Sequence, residues 1–300
     1  MDADFVIVGG GIGGTVLAEL LGRGGKRVVV LEKTTAPPPW LRPEVLWPAT
    51  MKVLFSLVPQ QIWEEEDVLA VRGIELHDGK GTLPFITSQL LREAGVQPWF
   101  TNPNQTRERL LRLGSFELRR GMEVVAVLKE KERVVGVRTR ELATGAEREV
   151  LAQLTIGDDG AQSAVRQACN IPPPTRMIPM DLLCFAFDWP AILPQATACV
   201  WLNPRRLQSG IFALLAMPFP QGKSAGLVAA RPAIFDNLEH AQEEFQTFVS
   251  ADPAMRQVIG NRKLPEDFAR IRRPWGHAPR YGGDGALLLG DAAHPVSPAG

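Results

Sequence analysis

Apolar and polar positions follow two different periods along this chain, and the changes of period mark out its elements. Phe5–Val8 is a short continuous apolar run, as expected of a buried strand. Five glycines follow within six positions: Gly9, Gly10, Gly11, Gly13 and Gly14. Val16, Leu17, Leu20 and Leu21 then recur at helical spacing, and Gly24-Gly25 stops the helix. A second apolar run, Arg27–Leu31, ends at Glu32. Strand, helix and strand in this order predict a βαβ unit and a parallel sheet.

Farther on, Gln105–Leu113 can form a short helix. Met122–Leu128, Arg133–Leu142 and Glu147–Ile156 are rich in β-branched residues, and turn signals at Lys129–Glu132 and Ala143–Ala146 separate them. They predict an antiparallel meander whose last strand enters Gly157-Asp158-Asp159-Gly160. Triple prolines at 37–39 and 172–174 must be extended, and the second suggests a domain boundary. Between Met177 and Phe268 the texture changes, with strand-like runs at Cys184–Trp189 and Gly210–Pro218. An amphipathic helix follows, carrying Leu238, Ala241, Phe245, Phe248 and Val249 on one face. Gly285–Gly290 reads as a further buried strand leading to Asp291-Ala292-Ala293-His294.

Composition excludes several classes. The 33 basic side chains balance 33 acidic ones, so there is no general electrostatic footprint for nucleic acid or an anionic membrane. At 45% apolar the chain can bury a sizeable core, and no apolar run reaches a membrane span. No basic segment precedes Phe5–Val8, so that run is not a signal peptide. Cys169, Cys184 and Cys199 form no C-x-x-C pair. A disulfide scaffold and a zinc finger are excluded, no metal site is expected, and a reducing, cytoplasmic location is.

Gly9-x-Gly11-x-x-Gly14 lies where a strand turns into a helix. Glycines there allow a tight turn and a close backbone approach to a pyrophosphate, and the helix N-terminus offers unpaired N–H groups and the positive end of its dipole. Glu32, 18 residues past Gly14 at the end of the next strand, can accept hydrogen bonds from a ribose and would repel a 2′-phosphate. Motif, strand, helix and acid in register predict a dinucleotide site.

Two later runs point to one cofactor. Gly157-Asp158-Asp159-Gly160-Ala161-Gln162-Ser163-Ala164-Val165-Arg166 resembles the DG motif (DGxxSxxR) of flavin-dependent aromatic hydroxylases, and Gly290-Asp291-Ala292-Ala293-His294-Pro295 resembles their GD motif. With the glycine fingerprint, these resemble the group A, or single-component, FAD-dependent monooxygenases, a family that includes para-hydroxybenzoate hydroxylase-like and ubiquinone-biosynthesis hydroxylase-like enzymes. The resemblance implies an α/β fold: a Rossmann-type FAD-binding domain with a parallel sheet and β-meander, plus a substrate domain with a mixed or antiparallel sheet. It places the FAD-binding domain at 1–71, 99–171 and 269–300 and the substrate domain at 72–98 and 172–268.

The resemblance also implies roles. FAD would be held by Gly9, Gly11, Gly13, Gly14 and Glu32, by Arg42 in the loop after the second strand, and by Arg107 of an R-x-x-L helix start, with Gln105 as the alternative. Val124 of the meander joins this set. Asp159 and Gly160 match the DG pair, linked to the pyrophosphate region and to NAD(P)H handling. Asp291 matches the ribityl-binding aspartate, and Pro298 matches a proline beside the flavin ring. Ser163 can cap the helix carrying Arg166. The implied activity uses NADH or NADPH as a transient cosubstrate, and O2, to hydroxylate an aromatic or other electron-rich small molecule through a flavin C4a-hydroperoxide. No catalytic acid or base for the substrate stands out. The family continues past the position of Gly300 with a glycine-rich turn and a long helix, so the chain is expected to be part of a longer enzyme.

Other readings compete. An FAD-dependent isoprenoid double-bond reductase shares the fingerprint. A flavin halogenase would carry W-x-W-x-I-P, and no pair of tryptophans here has that spacing. A flavin-binding protein without activity is the non-enzyme alternative. Gly222-Lys223-Ser224 resembles the tail of a P-loop, but Met217 stands where its first glycine belongs. Arg270, Arg272, Arg273, His277 and Arg280 read equally as an approach for NAD(P)H phosphates and as a solvated basic surface. His294 reads as a packed histidine, the cysteines as core filler, and Trp40, Trp47, Trp63 and Trp99 as core or cavity lining.

Overall fold

The computed structural model describes residues 1–39, 42–177, 179–188, 190–272 and 274–296, without the side chains of Glu65 and Glu66. Pro298, Trp40 and Arg273, singled out above, lie outside the described residues. The chain packs as two units: residues 1–37, 106–178 and 273–300, and residues 38–105 and 179–272.

In the first unit, strands Glu117–Arg120, Val28–Glu32, Ala3–Val8, Glu147–Gly157 and Ala286–Leu288 lie side by side, all parallel. The βαβ opening is present, with Val6 opposite Val29 and helix Ile12–Arg23 crossing between the strands. All five residues of Val28–Glu32 are buried, because both faces of a central parallel strand are covered. Ile7, Val28, Val30 and Ile156 pack with Ala18 of the helix on one face. Val6, Val8, Val29 and Leu31 pack with Val165, Ile171 and Ala286 on the other. The predicted meander is Met122–Glu130, Arg133–Glu141 and Glu147–Gly157, whose third strand extends into the parallel sheet. The edge strand Glu117–Arg120 has no apolar run; three of its four residues are charged, and parallel pairing to Val28–Glu32 makes it a strand.

The second unit holds a seven-stranded sheet in the order Phe268–Ile271, Asp181–Asp188, Lys223–Ala230, Ile211–Pro218, Thr197–Leu202, Gly73–His77, Thr82–Ile86. Its neighbours are antiparallel except Thr197–Leu202 with Gly73–His77. Helices Leu238–Ser250 and Pro253–Ile259 supply Ala241, Phe245, Phe248, Val249, Met255 and Val258 to one core with Leu183, Trp201, Leu214 and Val228. Of the predicted apolar face of the first of these helices, Ala241, Phe245, Phe248 and Val249 are buried, whereas Leu238, the first residue of the helix, is exposed.

The unit boundaries differ from the expected domains. Residues 38–71 and 99–105 pack with the second unit. Strand Trp99–Thr101 pairs on both sides, with Glu44–Leu46 and Val68–Ala70, so the two segments form one small sheet. Phe100 then packs against Val71, Ala198, Met217 and Phe219. Phe268–Ile271 stays in the second unit because it pairs with Asp181–Asp188. Residues 172–177 join the first unit, where Arg176–Met177 pairs with Pro274–Trp275. Among the described residues no helix is long and apolar enough to cross a membrane.

Candidate functional site

The glycine loop closes one end of a cavity of about 490 Å³ in the first unit. Val8–Gly11, Leu31–Lys33, Arg107, Met122–Val124, Asp158, Asp159, Gln162 and Ala164 line it. The tips of two parallel strands, the first meander strand and the DG turn thus converge on one space. Gly9 needs its glycine for conformation, with φ of +97°. Gly11, the N-cap of Ile12–Arg23, needs it for space: a Cβ there would lie 2.3 Å from Asp158 Oδ2. At Gly14 the same oxygen would be 2.5 Å away. The glycines are therefore required by Asp158 of the chain itself, whatever a ligand also demands.

Asp158 is the residue that sequence reasoning missed. Its backbone N–H donates to Val8 O at 2.8 Å, and its carboxylate accepts the Gly14 N–H at 3.0 Å, at the start of the helix. Burial, with further repulsion from Asp159 and Asp291, pushes it up to about 7 despite the hydrogen bonds from Gly14 and Gly11. The signal was the doubled acid in Gly157-Asp158-Asp159-Gly160, directly after a buried strand.

Glu32 sits at the cavity wall with both oxygens engaged. The Thr34 N–H and hydroxyl each donate to Oε1 at 2.6 Å. Oε2 accepts the Gly10 N–H at 2.7 Å and pairs with Arg107 Nη2 at 2.6 Å. Arg107 Nε also donates to Gly10 O at 2.6 Å, so acid, cation and loop form one closed set. Burial alone would raise the Glu32 carboxyl; the Thr34 hydrogen bonds, Arg107 and Gly10 outweigh it and hold the group below its ordinary value. Of the two alternatives on helix Pro103–Leu111, Arg107 lines the cavity. Gln105 lies in the first turn, its N–H donating to Asn102 Oδ1 at 3.3 Å.

The DG turn organises the opposite wall. Asp159 Oδ2 accepts the N–H groups of Ala164 at 2.7 Å and Val165 at 3.3 Å, while its Oδ1 is buried without a hydrogen-bond partner. Gly160 has φ of +77°. Ser163 caps helix Ala164–Ala168 through the Arg166 N–H at 2.9 Å, as expected. Buried Arg166 donates to Ala161 O at 2.6 Å and Ala292 O at 2.9 Å, tying the DG turn to the GD turn. Asp291 stands in the turn Gly290–Ala292, directly after strand Ala286–Leu288 and close enough to raise Asp158.

The FAD binding domain family matches residues 2–300. The chain belongs to this FAD binding domain family. It is 31% identical over 174 residues to squalene epoxidase 6 of Arabidopsis thaliana, covering 56% of this chain and 33% of that protein. The chain spans about a third of the squalene epoxidases it matches. To the rifampicin monooxygenase of Streptomyces venezuelae it is 26% identical over 313 residues, covering 99% of this chain and 60% of that one. The solved structure of a myxobacterial FAD-dependent chondrochloren halogenase shares the fold, with a TM-score of 0.77 at 21% identity over 99% of this chain and 70% of that one.

The residues present fit the cofactor of that family. A glycine loop with no room for a Cβ at Gly9, Gly11 or Gly14, a helix start beside it and a carboxylate at the end of the second strand are features of a dinucleotide site, and the unpartnered Asp159 oxygen can accept from a cofactor hydroxyl. Arg42 lies in the second unit, paired with Glu44 at 3.1 Å. The basic stretch resolves into internal partners. Arg270 pairs with Asp181 and Asp236, both at 2.6 Å, and Arg272 with Asp181 at 2.8 Å. Arg280 donates to Cys169 O at 2.8 Å, and His277 contacts Tyr281. Trp63 is fully buried and donates to Leu54 O at 3.2 Å, Trp99 packs edge-on against Phe55, and Trp47 is exposed. All three cysteines are buried. Glu75, His77 and Cys199 bring ligand atoms within 4.8 Å of one another in the second unit. Burial and Glu75 push the Cys199 thiol up to about 12, so it is a neutral thiol there.

Proposed function

We propose that the 490 Å³ cavity holds the adenosine-diphosphate part of FAD, and that the chain serves an NAD(P)H-dependent monooxygenase acting on an aromatic or other electron-rich small molecule. The observation that carries this reading is the convergence of the glycine loop, Glu32 and the DG turn on one cavity. Gly9, Gly11, Gly13 and Gly14 leave the backbone open to a diphosphate. Glu32 accepts from a ribose once Thr34 or Arg107 yields a hydrogen bond, and Val124 and Met122 offer apolar contact beside it. Asp291 is assigned to the ribityl chain, and Arg42 and Pro298 to contacts nearer the ring. FAD, when bound, supplies the redox chemistry. The first unit is the cofactor part and the second the substrate part. Within the second, an apolar cavity of about 260 Å³ lined by Phe185, Phe187, Leu214 and Phe245 suits a hydrophobic group.

Reconstitution with FAD tests the cofactor. A yellow complex is expected, and a chain that takes up no FAD overturns the reading. NADH and NADPH oxidation and O2 uptake are then measured against phenols, polyketide-type aromatics and a terpenoid alkene, the last because of the squalene epoxidase similarity. Oxygenated product with stoichiometric O2 uptake supports a monooxygenase. Saturation of the alkene without O2 uptake would mark a double-bond reductase, and halide incorporation a halogenase.

A further inference from the structure

The cavity has an excess of negative charge. Its lining carries two cations, Lys33 and Arg107, and four acids, Glu32, Glu123, Asp158 and Asp159. Both cations are already committed to acids of this set: Lys33 to Glu123 and Arg107 to Glu32, each at 2.6 Å. What remains facing the helix start is Asp158, with Asp159 beside it in the chain and Asp291 acting on it from the turn Gly290–Ala292. The glycine loop and the first turn of Ile12–Arg23 add no titratable side chain.

A helix start attracts one anion, and here Asp158 is placed on it, accepting the Gly14 N–H at 3.0 Å. A diphosphate entering the same loop meets that carboxylate at short range, in a partly buried pocket with no uncommitted cation in its lining. Moving Asp158 aside is blocked on several sides: its atoms are the first that a Cβ at Gly9, Gly11, Gly14 or Gly290 would meet. The remaining way to remove the repulsion is to remove the charge.

We propose that Asp158 is the proton-holding residue of the cofactor site, and that binding FAD draws one proton from solvent onto its carboxylate. The neutral acid keeps an oxygen for the Gly14 N–H and no longer opposes the diphosphate. Burial, with Asp159 and Asp291, already brings this group to about 7 without a ligand, so the proton is available near neutrality. This inference rests on the FAD reading above.

The test is FAD affinity of the full chain between pH 5.5 and 9, followed by flavin fluorescence, with calorimetry at pH 8 in buffers of different ionisation enthalpy. The wild-type chain is expected to bind with constant affinity below about pH 7 and to weaken about tenfold per pH unit above it. Calorimetry should count close to one proton taken up per FAD at pH 8. Asp158→Asn should bind FAD at pH 8.5 at least tenfold more tightly than the wild type, show no slope in that window and take up no proton. Wild-type affinity indifferent to pH, or an unchanged slope in Asp158→Asn, would overturn the role of Asp158. The proton count on the wild type decides the matter even if the variant does not fold. Absence of FAD binding at every pH is a separate result and overturns the FAD reading itself.

Discussion

The carboxylate of Asp158 accepts the backbone N–H of Gly14 across 144 residues of chain, at 3.0 Å. One hydrogen bond thus joins the DG turn to the glycine fingerprint, and it explains why three of the fingerprint glycines tolerate no Cβ: Asp158 atoms lie 2.3–2.5 Å from where it would stand at Gly9, Gly11 and Gly14.

At Gly11 all three nearest atoms belong to the Asp158 side chain. Gly11→Ala is expected to destabilise the chain by about 2–3 kcal/mol, and Asp158→Ala should relieve much of that cost. A double-mutant cycle by urea unfolding reads the coupling, about 1–3 kcal/mol. Strict additivity of the two substitutions would refute the steric account.

Asp158 also predicts a pH dependence of stability. Its folded value, about 7, lies above the ordinary 3.8, so the folded chain holds the proton more tightly. The contribution is complete below about pH 4 and is lost as pH rises to about 7, by at most about 4 kcal/mol, less whatever residual solvent screens. The stability difference between Asp158→Asn and wild type should therefore grow in favour of the variant from pH 4 to 7 and then level off. A constant difference across this range would show that the shift is absent.

Glu32 has the opposite sign. Its carboxyl is held below its ordinary 4.5, so its contribution is present above that pH and lost as pH falls through the lower folded value. Glu32→Gln should cost about 2–4 kcal/mol at pH 7, because Arg107 and the Gly10 and Thr34 N–H groups lose a charged acceptor. The cost should shrink in acid, as read by thermal unfolding at pH 7 and pH 3. Wild-type stability in Glu32→Gln at pH 7 would contradict this network.

Arg166→Lys tests the clamp between the two turns. A lysine cannot reach the carbonyls of Ala161 and Ala292 with a fork, and the expected loss is about 2–4 kcal/mol. Hydrogen exchange should show faster opening of the Gly290–Ala292 turn. Equal protection in the variant would show that the turn is held by other contacts.

In the second unit, fully buried Asp181 receives Arg270, Arg272 and the Ala233 N–H. Asp181→Leu alone should destabilise strongly, by about 3–5 kcal/mol, by leaving the arginines without their buried counter-charge. Asp181→Asn should cost less, because it keeps a hydrogen-bond acceptor. The two are compared by chemical denaturation, and equal losses would argue against a role for the charge.

The sequence by itself determined the opening strand–helix–strand, the meander, the amphipathic helix at 238–250 and the three motifs. These are local patterns in which hydrophobic period, turn residues and glycine spacing agree. It did not show that Glu117–Arg120 is a strand, since a charged edge strand is specified by its partner Val28–Glu32. Nor could it place 38–71 with 179–272: that follows from strand Trp99–Thr101 pairing on both sides and from Val71 and Phe100 sharing a core with Ala198, Met217 and Phe219, contacts between segments distant in sequence. At the site, Glu32 and the glycines were legible because their spacing follows strand and helix geometry. Asp158 and the grip of Arg166 on Ala292 were not, because their partners lie on distant segments and only folding brings them together. The same holds for Asp158's charge, since burial and the neighbouring acids are properties of the tertiary structure alone.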